Sequence, residues 1–273
     1  MLATVTQVTL ADFHSAHLQN ERDLVVLLPS LYEKHSRVRF PVLYVNDGQD
    51  IGQLRLHETL ARLVQRKRIR PLIVVAIPSN ANRLHEYGTA VAANAQGLGT
   101  QAAAYARFVV EEVMPAINAN FRTLTTPTDT AILGASLGGL SAFDIAWNYP
   151  EQFGTVGVLS GSFWWRAAPT ETVMTPNALI THNIVRCSTF RPGFRAWFEA
   201  GTRDERDDRD RNGVIDAIQD TTELIDELEK LGYRRGVDVV YQEINGGQHN
   251  YDTWAKALPD FLEWAFVPHS QHP

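Results

Sequence analysis

The sequence predicts an α/β fold, with one mostly parallel central sheet and helices on both of its faces. Three observations carry this expectation. Short apolar runs recur along the chain, several of them stopped by Pro, Asn, Asp or Gly. Between them lie stretches with apolar residues at helical spacing. The two kinds of segment alternate, as they must when parallel strands are joined by crossover helices. Continuous apolar runs of this length suit strands buried on both faces.

The elements follow in order. Residues 4–10 interleave threonine with apolar side chains and read as a strand. Residues 24–28 are wholly apolar and end at Pro29. The link between these two strands is too short for a crossover, so this edge of the sheet should be antiparallel. Residues 41–45 form the next strand, closed by Asn46-Asp47-Gly48, and residues 72–77 the one after, closed by Pro78. Shorter strands are predicted at 131–133, 156–159, 196–199 and 237–241. Leu56, Leu60, Leu63 and Val64 mark a helix over 53–66, and Tyr105, Phe108, Val109, Val113 and Ile117 one over 101–117. Further helices are expected at 138–148, at 221–231 and at 253–266, the last with Pro259 inside it.

Whole-chain properties narrow the function classes. The 273 residues fit one domain, 1–273, with a loosely held tail over 267–273. The net charge of −6 leaves no basic footprint for nucleic acid. The short basic run Arg66, Lys67, Arg68 and Arg70 reads as a solvated helix end. One cysteine, Cys187, can form no internal disulfide. The first residues lack the charged and apolar regions of a signal peptide, and no apolar run is long enough for a membrane span. A cytoplasmic protein is expected, and nothing in the sequence sets its oligomeric state.

Chemistry concentrates at Gly134-Ala135-Ser136-Leu137-Gly138, a G-x-S-x-G pentapeptide between a predicted strand and a predicted helix. That context forces a tight turn with the serine at its tip. The helix N-terminus behind it offers free N–H groups and a positive dipole end, which suit an oxyanion. Ser136 is therefore the candidate nucleophile. Its base should lie downstream. His249, in the loop Gly246–Asn250 between a strand and the last helix, can reach it, and imidazole is the side chain suited to proton transfer near neutral pH. His269 and His272 fall in the tail. The acid should follow the 196–199 strand. Asp204 is the first carboxylate there, with Glu205, Asp207 and Asp208 as alternatives. Its task is to orient the imidazole and stabilise the imidazolium.

Six segments together resemble the esterase D-like branch of the α/β-hydrolase fold, which includes enterochelin, feruloyl and acetylxylan esterases and mycolyl acyltransferases. They are residues 43–49, 82–87, 134–139, 160–165, 201–204 and 247–249 with Trp254, and they span nearly the whole chain. The resemblance implies an oxyanion hole made by the amide of Leu137 and by that of Gly48 or Gln49. Here Asp47-Gly48-Gln49 stands where many lipases have His-Gly-Gly. It also implies that Phe163, Trp164 and Trp165 lie near the site mouth, where they would suit an apolar or aromatic group; core packing is the alternative. Arg83, Glu86 and Tyr87 either shape the pocket or form a structural ion pair.

A second pattern lies just beyond Asp204. Residues 208–216 read like the first nine positions of an EF-hand loop, with oxygen donors Asp208, Asp210, Asn212 and Asp216, the carbonyl of Val214, and Gly213 at the turn. The twelfth position is Gln219, where a glutamate is usual. Two readings stay open: a structural Ca²⁺ on these residues, or a solvated turn held by Asx-type bonds. No cofactor is needed for the chemistry of a serine hydrolase. The expected activity is hydrolysis of a small-molecule carboxylic ester. Acyl transfer with the same residues, or a non-catalytic binding role on the same fold, are the alternatives.

Overall fold

The structure is a computed structural model in which residues 5–167 and 179–268 are described. Its spine is an eight-stranded sheet. The strands are β1 (Thr6–Ser15), β2 (Asn20–Leu28), β3 (Val42–Asn46), β4 (Ile73–Ile77), β5 (Thr130–Ala135), β6 (Thr155–Leu159), β7 (Arg195–Arg203) and β8 (Val239–Gln248). Their spatial order is β1-β2-β4-β3-β5-β6-β7-β8. β1 and β2 pair antiparallel, as do β2 and β4; every other pairing is parallel. The predicted antiparallel edge and parallel centre are both present.

The helices are α1 (Leu56–Gln65), α2 (Arg83–Glu86), α3 (Ala102–Arg107), α4 (Met114–Asn120), α5 (Leu137–Asn148), α6 (Ile180–Arg186), α7 (Asp216–Lys230) and α8 (Tyr251–Ala265). The pleat of the strands sorts the core into two halves. Val42 and Tyr44 of β3 pack with α3, α5 and α7 on one face, while Leu43 and Val45 pack with α1 and α8 on the other. Both halves are dry, which is why β3, β4, β5 and β6 have no exposed position. Each fully buried aliphatic or aromatic side chain contributes roughly 1.5–3 kcal/mol.

Several boundaries differ from the sequence reading. β1 and β2 are longer than expected and form one hairpin through polar residues, which tolerate a strand because the edge is solvated. The 101–117 segment is not one regular helix. A wider π-type turn at Phe108–Val113 separates α3 from α4, just before Pro115, whose ring cannot donate an i→i−4 bond. The helices α2 and α6 had no predicted counterpart. α7 begins five residues earlier than expected, and β8 runs seven residues further, to Gln248. That extension delivers the chain to His249. Of the expected tail, residues 269–273 lie outside the described residues. Among the described residues, no helix is long and apolar enough to cross a membrane.

Candidate active site

Ser136 stands between the end of β5 and the start of α5 with φ 56° and ψ −126°, a backbone conformation that costs a non-glycine residue free energy. The neighbours explain how the turn is tolerated. A Cβ on Gly134 would lie 2.0 Å from the Gly138 carbonyl oxygen, and one on Gly139 would lie 2.9 Å from Val158 Cγ1. Only bare backbone lets strand and helix approach this closely. The Ser136 amide donates to the Leu159 carbonyl at 2.8 Å, and the Ser136 carbonyl accepts from the Ser162 amide at 3.2 Å. The serine is thereby tied to the end of β6 and to the loop that follows it.

His249 lies at the same end of the sheet, in the turn between β8 and α8. Asn250 caps α8 by accepting from the Thr253 amide at 3.0 Å, and Thr253 Oγ1 accepts from the Gln248 amide at 2.9 Å. These bonds flank the histidine and fix the turn. His249 Nε2 lies 2.8 Å from Ser136 Oγ. Its ring stands edge-on to Trp254, with centroids 5.1 Å apart. The other ring nitrogen, Nδ1, is 3.8 Å from Asp204 Oδ2. That is ion-pair range, longer than a hydrogen bond. The Asp204 side chain is 1% exposed, and among the described residues neither carboxylate oxygen has a hydrogen-bond partner. A Cβ on Gly201 would lie 2.9 Å from Asp204 Oδ1, so that glycine leaves the space the carboxylate fills.

The loop after β3 closes against the nucleophile turn. Asn46 Nδ2 donates to the Gly138 carbonyl at 2.8 Å, and Asn46 Oδ1 accepts from the Tyr105 hydroxyl at 2.8 Å. Asp47 is left-handed, with φ 55°. Its amide donates to the Tyr87 hydroxyl at 3.0 Å, and its carboxylate takes a two-pronged pair from Arg83, Nε at 2.7 Å and the terminal nitrogen at 2.8 Å. Gly48 is buried, with room for no side chain: a Cβ would sit 2.5 Å from the Ala76 and Ile77 backbone. Leu137 opens α5 and Gly48 opens a single 3₁₀ turn, so neither amide has an intrahelical acceptor. Gln49 is exposed and its side chain bonds Ser79 in both directions. Glu86 pairs with Arg22 in a buried contact of 2.9 Å, away from Asp47. Asn46 and Tyr105 were not singled out in the sequence, because an asparagine at a strand end and a tyrosine on a helix face have many ordinary uses.

The aromatic segment needs a correction. Phe163 and Trp165 are fully buried. Phe163 packs on Phe143 and Phe198, and Trp165 covers Gly88 and Gly99, so neither can line a site mouth. Trp164 alone is exposed, at 43%, and lines an open cavity of about 430 Å³ with Arg166, Glu205 and Arg209. The residues of the 208–216 loop are bonded largely to their own backbone and neighbours. Asp208 accepts from the Asn212 and Gly213 amides, Asn212 Oδ1 from the Val214 amide, and Asp210 from the Asn212 amide and Gln219. Asp216 accepts from the Arg209 amide and faces its guanidinium at 3.3 Å. Among the described residues, no group of three or more His, Cys, Asp or Glu side chains is placed to hold a metal ion.

Known proteins resemble this chain along its whole length. It is 26% identical over 257 residues to the uncharacterized protein YbbA of Bacillus subtilis, covering 92% of this chain and 95% of that one. It is 29% identical over 128 residues to the iron(III) enterobactin esterase of Escherichia coli K12, covering 46% of this chain but only 29% of the relative. Among solved structures, the enterobactin esterase of Shigella flexneri superposes with a TM-score of 0.74 at 20% identity, over 96% of this chain and 58% of that one. The ferulic acid esterase of Anaeromyces mucronatus gives 0.69 at 19% identity, over 96% and 92%. At these identities the structures show a shared fold, that of the α/β-hydrolase esterases. The family described as "Putative esterase" matches residues 15–265, nearly the whole chain, and the protein belongs to it.

Proposed function

We propose that the protein hydrolyses a small-molecule carboxylic ester through an acyl-enzyme, with Ser136 as nucleophile, His249 as general base and Asp204 as the acid that orients it. The single observation that carries this reading is the 2.8 Å contact between His249 Nε2 and Ser136 Oγ. These residues stand 113 positions apart in the chain. Ser136 Oγ attacks the ester carbonyl as its proton passes to His249 Nε2. The amide of Leu137, with that of Gly48 or Gln49, then stabilises the oxyanion. Such a donor typically contributes on the order of a hundredfold in rate. His249 returns the proton to the departing alcohol, and water, activated by the same imidazole, releases the acid. The Asp204 carboxylate keeps the imidazole proton on Nδ1 and balances the imidazolium charge. The relatives named for enterobactin and ferulate support a small ester as substrate.

The test is hydrolysis of a p-nitrophenyl ester series of increasing acyl length, together with labelling by a fluorophosphonate probe. Turnover and labelling in the wild type that both vanish in Ser136→Ala support the reading. A wild type that neither hydrolyses nor labels overturns it. Added alcohol acceptors, with product analysis, separate hydrolysis from acyl transfer.

A further inference from the structure

A second carboxyl lies buried behind the Asp204–His249 pair. Glu199 stands in the middle of β7 and has no exposed surface. Its Oε2 accepts from Ser160 Oγ at 3.4 Å, and that hydroxyl accepts in turn from Trp254 Nε1 at 2.8 Å. Trp254 is the ring that stands edge-on to His249. Glu199 Oε1 has no hydrogen-bond partner, and neither does either Asp204 oxygen. The pleat puts Glu199 and Gly201 on the same face of the sheet. The space left by the missing Gly201 side chain is where Asp204 Oδ1 lies. Two buried acid groups with unpartnered oxygens among the described residues therefore lie on one face of the end of β7, and the Asp204 charge acts on Glu199. Two carboxylates in such a place do not both ionise readily, and one shared proton relieves both.

We propose that Glu199 is a positioning residue for the triad: as a neutral acid it donates a hydrogen bond from Oε1 to Asp204 and so holds that carboxylate, charged, beneath His249 Nδ1. This rests on the reading of Asp204 as the triad acid. The surroundings decide which of the two carries the charge. Asp204 faces the imidazole, whereas Glu199 faces the Ser160 hydroxyl and the second acid. Burial, and then the Asp204 charge, push the Glu199 carboxyl up to about 8. The titratable groups that act on it are Asp204 from the loop after β7 and Tyr241 from β8, while His249, in the turn before α8, faces Asp204. Glu243 lies beyond, bonded to the Tyr241 hydroxyl. β6 and α8 contribute Ser160 and Trp254, which do not titrate in this range. As pH rises past the Glu199 value, the donor is lost and a second negative charge appears beside Asp204.

The experiment compares wild type, Glu199→Gln and Glu199→Ala on the p-nitrophenyl ester that the wild type turns over best. It reads kcat and KM from neutral to alkaline pH, with fluorophosphonate labelling and Tm alongside. Glu199→Gln keeps a donor and has no charge to gain. It is expected to keep near-wild-type kcat at neutral pH and to lack the alkaline fall expected of the wild type near pH 8. Glu199→Ala is expected to lower kcat on the order of a hundredfold, through a misplaced acid, with KM little changed. Superimposable pH profiles for wild type and Glu199→Gln overturn the proposal, as does wild-type kcat in a folded Glu199→Ala. Should Glu199→Ala fail to fold, the Glu199→Gln profile decides alone. A wild type with neither turnover nor labelling fails the esterase reading itself, and that is seen before any Glu199 variant is made.

Discussion

His249 Nε2 and Ser136 Oγ meet at 2.8 Å across two turns at the same end of the parallel strands, one after the central β5 and one after the edge strand β8. If this pair does the chemistry, either partner alone is indispensable. Ser136→Ala and His249→Ala should each lower kcat by about 10⁴-fold or more, and the double variant should lose little further, because residues that act as a unit are not additive. Asp204→Asn should cost about 10⁴-fold by disfavouring the productive tautomer. Steady-state kinetics with burst analysis checks this. Independent, multiplying losses would argue against a shared step.

The glycines around the nucleophile give a steric prediction with an internal control. A Cβ at Gly134 meets the Gly138 carbonyl at 2.0 Å, whereas a Cβ at Gly52 meets nothing within 4 Å. Gly134→Ala should destabilise by about 3 kcal/mol or more, or prevent folding, and Gly52→Ala should be near neutral. Denaturant unfolding of the two variants checks the contrast, and equal midpoints would contradict it.

If the turn at Asp47 and Gly48 shapes the oxyanion hole, Arg83 bears on catalysis through Asp47. Its planar fork grips both carboxylate oxygens next to Gly48. Lysine cannot reproduce that geometry. Arg83→Lys should lower kcat by roughly tenfold to a hundredfold with little change in Tm, since about a third of the side chain is already exposed. A large fall in Tm with unchanged kcat in the folded fraction would make the pair structural only.

Asp144 supplies a pH-dependent stability prediction. It is buried on α5, and burial pushes its carboxyl up to about 7 despite a 2.9 Å bond from the Ala90 amide. Its folded value lies above its unfolded one. The stability it contributes is therefore full below about pH 4 and is lost as pH rises through about 7. Asp144→Asn removes this slope and keeps an acceptor for Ala90. Its Tm relative to wild type should climb between pH 5 and pH 8 (roughly the span set by that shift). A constant difference would mean that Asp144 does not titrate there.

The 208–216 loop predicts indifference to calcium. Arg209 holds Asp216, Gln219 donates to Asp210, and Asn212 Oδ1 accepts from the Val214 amide, where a cation would need those oxygens free. Chelator and added Ca²⁺ should both leave Tm and turnover unchanged. A loss on chelation that Ca²⁺ restores would show that the loop rearranges to bind the ion.

The sequence alone determined the alternation of strands and helices and the turn that presents Ser136. Both follow from short-range rules: side-chain period, and the sterics of glycines a few residues apart. It also narrowed the histidine to His249, because outside the tail only His249 follows the candidate acids. Only the tertiary structure decided the remainder. Phe163, Trp164 and Trp165 are consecutive aromatics with no local signal to separate them; packing against Phe143 and Gly88 buries two and leaves Trp164 at the surface. Arg83 and Glu86 look like each other's partners on one helical turn, yet Asp47 and Arg22 take them from distant strands. Glu199 reads as one more strand residue until β6, α8 and the loop after β7 close around it. Such partners are fixed by which surfaces meet when the sheet and its helices pack, and that information is spread over the whole chain.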